Sequence, residues 1–202
     1  MHVLEAIEKR RATKAFDPSH VMSESELATL LQAARQSPTS FNIQNWRFVV
    51  VRDQEQRRKI RAAAWDQAQV TDSSVLMILC GDIKAWEHPE ANWRNTTPET
   101  QQAMTKATID FYQGRGEEMQ RDEVMRSTGI AAQSLMLAAK ELGYDSCPMV
   151  GFDTEKVAQI IGLPKNHVIS LFVAIGKAAK DPHPRSGPAE EKDVVFYDRF
   201  PA

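Results

Sequence analysis

The feature that most constrains this chain is residues 27–51, where an amphipathic helix, a proline and an apolar strand follow one another. Apolar side chains from Leu27 to Ala34 recur at i, i+3, i+4 and i+7, the spacing of one helical face. Ser23 and Glu26 form a capping-box pattern just before it. The helix must end before Pro38, because the residue preceding a proline is driven out of the helical region. Residues 46–51 then predict a buried strand.

The loop between this helix and strand is unusually rich in short polar side chains. It could grip a flat polar ligand, or it could be an ordinary loop of turn residues that ends at a proline. Residue types alone leave both interpretations open. The polar residues are Thr39, Ser40, Asn42, Gln44 and Asn45.

A second candidate binding segment is residues 9–17, which carry four cations and one acid. If the segment is extended, Arg10 and Lys14 point to the same side and lie about 13 Å apart, at about 3.3 Å per residue. A nucleotide with a phosphate at one end and an electron-rich ring at the other has that reach. A solvated basic turn is the alternative.

The remaining pattern alternates helices with short apolar strands. Helices are predicted over residues 3–9, with Val3, Leu4 and Ile7 inward, after Asp53, over 128–142 and around 157–161. Strands are predicted over 75–80, 144–150 and 168–175. We expect one domain over residues 1–202, with a helical excursion at about 82–126. An arm at about 178–202 would end in a strand-like cluster at 194–197 and cross to a partner subunit.

Composition excludes several classes of protein. No apolar run approaches the ~20 residues of a membrane span, and a net charge of −2 argues against a nucleic-acid partner. Cys80 and Cys147 form no C-x-x-C pair, so we expect buried core thiols and a cytoplasmic protein. No secretory leader is visible after Met1.

Familiar catalytic motifs are absent from the sequence. It has no G-x-S-x-G elbow, no H-E-x-x-H zinc motif, no phosphate loop and no complete dinucleotide fingerprint. We therefore expect no bound metal, and we expect a cofactor to carry any chemistry.

Five segments resemble, in order, the characteristic segments of the FMN-dependent nitroreductase family: KRRATKAFD, SPTSFNIQNWRFVVV, AWDQAQVTDSSVLMILC, SCPMVGFD and GKAAKDPHPRSG. The resemblance covers almost the whole chain. It implies an α+β, three-layer fold whose mainly antiparallel central sheet is flanked by helices. It also implies a homodimer with an exchanged C-terminal strand and FMN in two clefts between the subunits. NADH or NADPH would donate hydride, and a small nitroaromatic, quinone or related acceptor would receive it in a ping-pong cycle.

The resemblance also assigns roles by position. Arg10 and Arg185 would hold the FMN phosphate. Lys14 and Gln69 would hold the pyrimidine edge of the ring, and Asp66 or Gln67 are further candidates at that edge. Residues 38–42 would reach FMN from the other subunit, and 148–151 would lie along the ring. No side chain would be catalytic, because hydride moves through N5 of FMN. The full set of implied cofactor contacts is Arg10, Arg11, Ala12, Lys14, Pro38, Thr39, Ser40, Asn42, Gln69, Pro148, Met149, Val150, Gly151, Lys177 and Arg185. Candidate substrate-pocket walls are Phe41, Phe111 and Tyr112.

Three positions depart from the family pattern and leave the acceptor open. Ala12 replaces a frequent serine, Val150 replaces a glutamate found in some members, and Gln69 replaces a lysine. A flavin-binding or storage protein without turnover is one alternative. A specialised family member that acts on one metabolite, such as an enone, is another.

Overall fold

The computed structural model describes residues 1–201 and contains one four-stranded sheet. The strands are β1 (Trp46–Val51), β2 (Val75–Asp82), β3 (Asp145–Met149) and β4 (His167–Gly176). Their order is β1-β2-β4-β3, and every neighbouring pair is antiparallel. The strands predicted at 75–80, 144–150 and 168–175 are therefore confirmed.

The described residues also form eight α-helices and short 3-10 turns at 40–42, 85–87 and 90–93. The helices are α1 (Val3–Lys9), α2 (Glu24–Arg35), α3 (Gln54–Ala63), α4 (Gln69–Asp72), α5 (Pro98–Gln113), α6 (Gly116–Glu141), α7 (Thr154–Ile161) and α8 (Glu191–Val194). None of them has the length and hydropathy needed to cross a bilayer, within the residues described.

Strand β2 explains why the fold has three layers. All but the last of its residues are buried, and their side chains alternate between two apolar clusters. Met77 and Leu79 pack with α2 and α6 on one face of the sheet. Ile78 and Cys80 pack with α3 and α7 on the other. The α+β three-layer prediction is confirmed.

Helix caps follow the sequence closely. Ser23 and Glu26 form both halves of the capping box before α2, and Asp53 accepts a hydrogen bond from the Gln56 amide at the start of α3. Gly143 follows α6 with φ of +73°, a conformation that costs glycine little. These caps fix the start of α2, the start of α3 and the end of α6.

Several predictions of burial and helix length were wrong. Val3, Leu4 and Ile7 are exposed, because α1 packs on α6 mainly through Ala6 and nothing in a single chain covers its apolar stripe. Strand β1 lies at the sheet edge and is only half-buried. The helix predicted from residue 128 begins at Gly116, inside the predicted excursion.

The C-terminal segment forms no strand within the described chain. Residues 194–197 pair with no strand there, and Val194 is also the last residue of the single-turn helix α8. Val194, Val195, Phe196 and Tyr197 are all exposed. The predicted addition of this segment to the sheet of a partner subunit stays a prediction.

Candidate functional site

A cleft of about 850 Å³ lies between the end of α1, the end of β3 and the tail around residue 185. This volume is within the range of small-molecule and cofactor sites, about 300–1,000 Å³. The predicted cofactor residues that line it are Arg10, Arg11, Ala12, Lys14, Pro148 and Arg185. The structure thus brings together three distant segments that the sequence singled out.

The basic segment lies extended along the sheet edge, as expected. The Thr13 amide donates to the Ser146 carbonyl at 3.0 Å, and the Ala179 amide donates to the Ala15 carbonyl at 3.0 Å. Thr13 is buried by these contacts, whereas Ala12 and Lys14 face outward. Backbone pairing therefore presents this segment to the cleft.

Three guanidinium groups gather at one end of the cleft. An Arg185 nitrogen donates to the Glu8 carbonyl at 2.9 Å and to the Arg10 carbonyl at 3.1 Å, which ties the tail to the end of α1. Arg11 donates to the carbonyl of His183. None of the three arginines forms an ion pair with a carboxylate of residues 1–201.

The electrostatics of this end favour an anion. Burial, followed by the nearby charges of Arg185 and Arg11, lowers the pKa of Arg10. Positive charge concentrated without a carboxylate partner is neutralised best by a bound anion such as a phosphate.

Lys14 lines the cleft, and a chain of side-chain contacts leads away from it to residues that are not part of the cleft lining, Gln69 and Gly151 among them. Burial raises the pKa of the Cys147 thiol, while the adjacent Lys14 and Gln69 side chains act in the opposite direction. Gln69 donates to Gln67 at 3.2 Å, and Gln67 donates to the Gly151 carbonyl at 2.7 Å. This network joins the start of α4 to the segment after β3.

Glycine at position 151 leaves room for the ring of Trp65. A Cβ there would lie 2.7 Å from Cζ3 of Trp65, closer than Cβ atoms approach in real proteins. Val150 beside it is 77% exposed, so its apolar side chain is uncovered in the single chain. Met149 instead points into the core, where it is 4% exposed.

The structure does not bring Lys177 into the cleft. Its ammonium group donates to the Gly143 carbonyl at 2.7 Å and lies 4.0 Å from the centre of the Tyr144 ring. Lys177 therefore braces the turn after α6.

Pro38 and Asn42 line a separate cavity of about 730 Å³ beside α2, with Thr39 and Ser40 in the same loop. Residues 38–42 thus lie apart from the arginine-rich cleft on this chain. Their predicted reach into a partner's cleft stays a prediction.

The three proposed substrate-pocket residues form an aromatic cluster. Ring centres of Phe41 and Phe111 lie 4.9 Å apart, and those of Phe111 and Tyr112 lie 5.0 Å apart. Tyr112 is 0% exposed and also stacks against Trp86, so it is a core residue and cannot face a ligand. Phe41 and Phe111 are half-buried.

Sequence reasoning missed several residues that line the cleft, among them one on α6 and one in the tail. Gln133 lies on α6 and His183 precedes Arg185 in the tail. In the sequence, Gln133 is marked only as a polar residue among the alanines of the helix predicted at 128–142. Residues 1–201 contain no cluster of His, Cys, Asp and Glu side chains arranged to hold a metal ion.

Comparisons with known proteins identify the family of this chain. Residues 7–177 match the family model described as the nitroreductase family. Protein DrgA of Synechocystis is 47% identical over 90% of this chain and 86% of its own length. A Thermus thermophilus protein named NADH dehydrogenase is 33% identical, over 93% of this chain and 92% of its own.

A solved structure matches over almost the entire fold. It is a protein of Exiguobacterium sibiricum, assigned as a nitroreductase and crystallised in complex with FMN. The TM-score is 0.91 at 26% identity, over 98% of this chain and 97% of that one. From the family match and these similarities, we conclude that this chain belongs to the nitroreductase family.

Proposed function

We propose that this protein takes hydride from NADH or NADPH and passes it, through bound FMN, to nitroaromatic, quinone or related electron-poor acceptors. As a member of the nitroreductase family, it is an NAD(P)H-dependent flavin oxidoreductase. The proposal concerns its acceptors, its reaction order and the residues that hold the cofactor. The observation that carries it is the cleft with arginines at one end and Lys14 at the other.

The residues of the cleft fit FMN. Arg10, with Arg11 and Arg185, would hold the phosphate, because planar guanidinium groups donate two parallel hydrogen bonds to phosphate oxygens. Lys14 and Gln69 would hold the pyrimidine edge of the ring. A cation at that edge favours the negative charge that develops there on reduction.

The segment after β3 would lie along the ring. Pro148 lines the cleft, and the exposed Val150 would give the space over the ring an apolar wall. FMN held there would supply the hydride-transfer chemistry, and the nicotinamide and the acceptor would use the same place in turn, as a ping-pong cycle requires. The Cys147 thiol, whose pKa is raised, stays protonated and would leave the cleft without an anion beside Lys14.

We propose that two chains form the working unit. The exposed apolar residues of α1 and the exposed segment around Phe196 support an interface with a second copy. Residues 38–42 would then complete the partner's flavin cleft. Truncation before Val194 should weaken dimerisation and FMN binding together, which sedimentation velocity and flavin titration would measure. An unchanged dimer would rule out exchange of the C-terminal arm.

The phosphate role of Arg10 is tested by Arg10→Ala. Loss of hydrogen bonds to a charged group should weaken FMN binding by about 1.5–3 kcal/mol, or roughly 10- to 150-fold in Kd. Arg121→Ala is the matched control, because Arg121 is exposed on α6 away from the cleft. If Arg10→Ala retains stoichiometric FMN through gel filtration, Arg10 does not hold the phosphate.

Turnover separates an enzyme from a flavin-storage protein. Anaerobic NADH or NADPH should bleach the flavin absorbance, and menadione or nitrofurazone should restore it. Stable oxidised flavin in the presence of both nucleotides would support storage instead. Product analysis with a panel of acceptors would identify a specialised relative.

A further inference from the structure

The cavity beside α2 is a second candidate binding site, with a polar and positively charged lining. It measures about 730 Å³, and it shares no lining residue with the arginine-rich cleft within residues 1–201. Its polar lining comes from the last turns of α2, the loop before β1 and the turn before α5. These residues are Gln32, Arg35, Gln36, Ser37, Asn42, Gln44 and Arg94.

The charge in this cavity is positive and uncompensated. Arg35 and Arg94 line it together, and no acidic side chain of residues 1–201 does so. Neither guanidinium forms an ion pair with a carboxylate in that part of the chain. Leu31 and Pro38 add apolar surface beside them. Two guanidiniums next to an apolar wall suit a phosphorylated ring compound.

One wall of the cavity is held in an unfavourable backbone conformation. Phe41, Asn42 and Gln44 have φ values of 49°, 51° and 47°, in the left-handed region that disfavours most side chains. Such strain persists where the surroundings enforce it, and it is concentrated at ligand-binding sites.

Asn92 enforces this conformation through three hydrogen bonds. Its carbonyl accepts from Asn42 at 2.8 Å, its side-chain oxygen accepts from Gln44 at 3.3 Å, and its side-chain nitrogen donates to the Ile43 carbonyl at 3.2 Å. These bonds join the loop to the short turn that carries Arg94. The wall is therefore preorganised, which lowers the entropic cost of binding.

We propose that this cavity binds the adenosine half of NADPH, with Arg35 and Arg94 on its 2′-phosphate. The inference rests on the proposed function, in which residues 38–42 border the flavin. Pro38 and Asn42 also border this cavity, so a dinucleotide whose nicotinamide lies on the flavin can extend its other end here. NADH lacks the 2′-phosphate, so the protein prefers NADPH.

Calorimetry on the flavin-loaded protein tests the site without turnover. Adenosine 2′,5′-bisphosphate should bind more tightly than 5′-AMP. In the Arg35→Gln/Arg94→Gln variant its Kd should rise about 10- to 100-fold, as expected for lost hydrogen bonds between charged groups, while 5′-AMP changes less than about twofold. Arg121→Gln is the matched control, because that arginine lies outside the cavity.

Steady-state kinetics give the second readout. The double variant should raise the KM for NADPH and leave the KM for NADH and the FMN content unchanged. Equal affinities for adenosine 2′,5′-bisphosphate and 5′-AMP would overturn the phosphate assignment. Equal increases in the KM for NADH and for NADPH in the double variant would overturn it too. That failure is distinct from failure of the proposed function, in which no flavin binds or neither nucleotide reduces it.

Discussion

Arg57 offers the sharpest test of how the fold supports the flavin cleft. Its side chain is 1% exposed, inside α3. The guanidinium donates to the Val70 carbonyl at 2.7 Å and to the Ser73 carbonyl and hydroxyl, both at 2.6 Å. These bonds hold the short helix α4, whose first residue is Gln69. Arg57→Met keeps most of the aliphatic stem and removes every donor.

The expected loss follows from the acceptors left behind. Two buried carbonyls, of Val70 and Ser73, lose their guanidinium donor at a cost of about 1–3 kcal/mol each. The free energy of unfolding should fall by about 2–6 kcal/mol, a large part of the about 5–15 kcal/mol of a typical protein. At roughly 2–4 °C per kcal/mol for a chain of this size, the decrease in Tm is readily measured.

Urea unfolding of the flavin-free protein, followed by circular dichroism, measures this loss. Arg58→Met is the control, because the next residue is exposed and a surface change should stay within about 0.5 kcal/mol. FMN affinity should also fall in Arg57→Met, since Gln69 loses its support. Equal urea midpoints for Arg57→Met and Arg58→Met would refute the role of Arg57 in holding α4.

Three further outcomes follow from the structure. Gly81→Ala places a Cβ 2.2 Å from Cγ1 of Val124 and should destabilise the protein by about 1–3 kcal/mol. Adding Val124→Ala to the same chain should restore most of the urea midpoint, and a midpoint that stays low would refute the clash. Hydrogen bonds from Ser23 lower the pKa of Glu26 to about 2. The contribution of ionised Glu26 to protein stability is therefore complete above its ordinary pKa and is lost as the pH falls toward 2. Glu26→Gln should flatten that part of the pH–stability curve, and an unchanged curve would contradict the capping role. Burial raises the pKa of Cys80 to about 12 and raises that of Cys147, so Ellman's reagent should label both thiols only after denaturation, and fast labelling of the native protein would contradict it.

Local patterns predicted most of the framework. The apolar spacing of α2, the continuous apolar run of β2 and the capping residue Asp53 each specify their element through contacts within a few residues. The start of α6 was missed because its first turns carry mainly charged residues. Only a few residues there, such as Glu123 and Val124, are buried.

The candidate site depended on contacts that no local pattern encodes. Gln67 meets Gly151 across 84 positions, and Arg185 meets Glu8 across 177. The sequence supplied the residue types, and the family resemblance supplied their roles. The cavity that holds Arg35 and Arg94 went unrecognised, because α2 and the turn before α5 meet only in the folded chain.

The ends of the chain show the same limit. The apolar residues Leu4 and Ile7 satisfied the helical pattern, yet they remain exposed on a single chain. Patterning identifies an apolar face without identifying what covers it. We propose that a second copy of this chain covers these apolar residues.

The most direct test of the central claim is the absorption spectrum of the purified protein during anaerobic titration with NADPH. The account predicts one FMN per chain, loss of the oxidised flavin absorbance at one equivalent of NADPH, and its return when menadione is added. A colourless protein that binds no added FMN, or a bound flavin that neither NADPH nor NADH reduces, would contradict it.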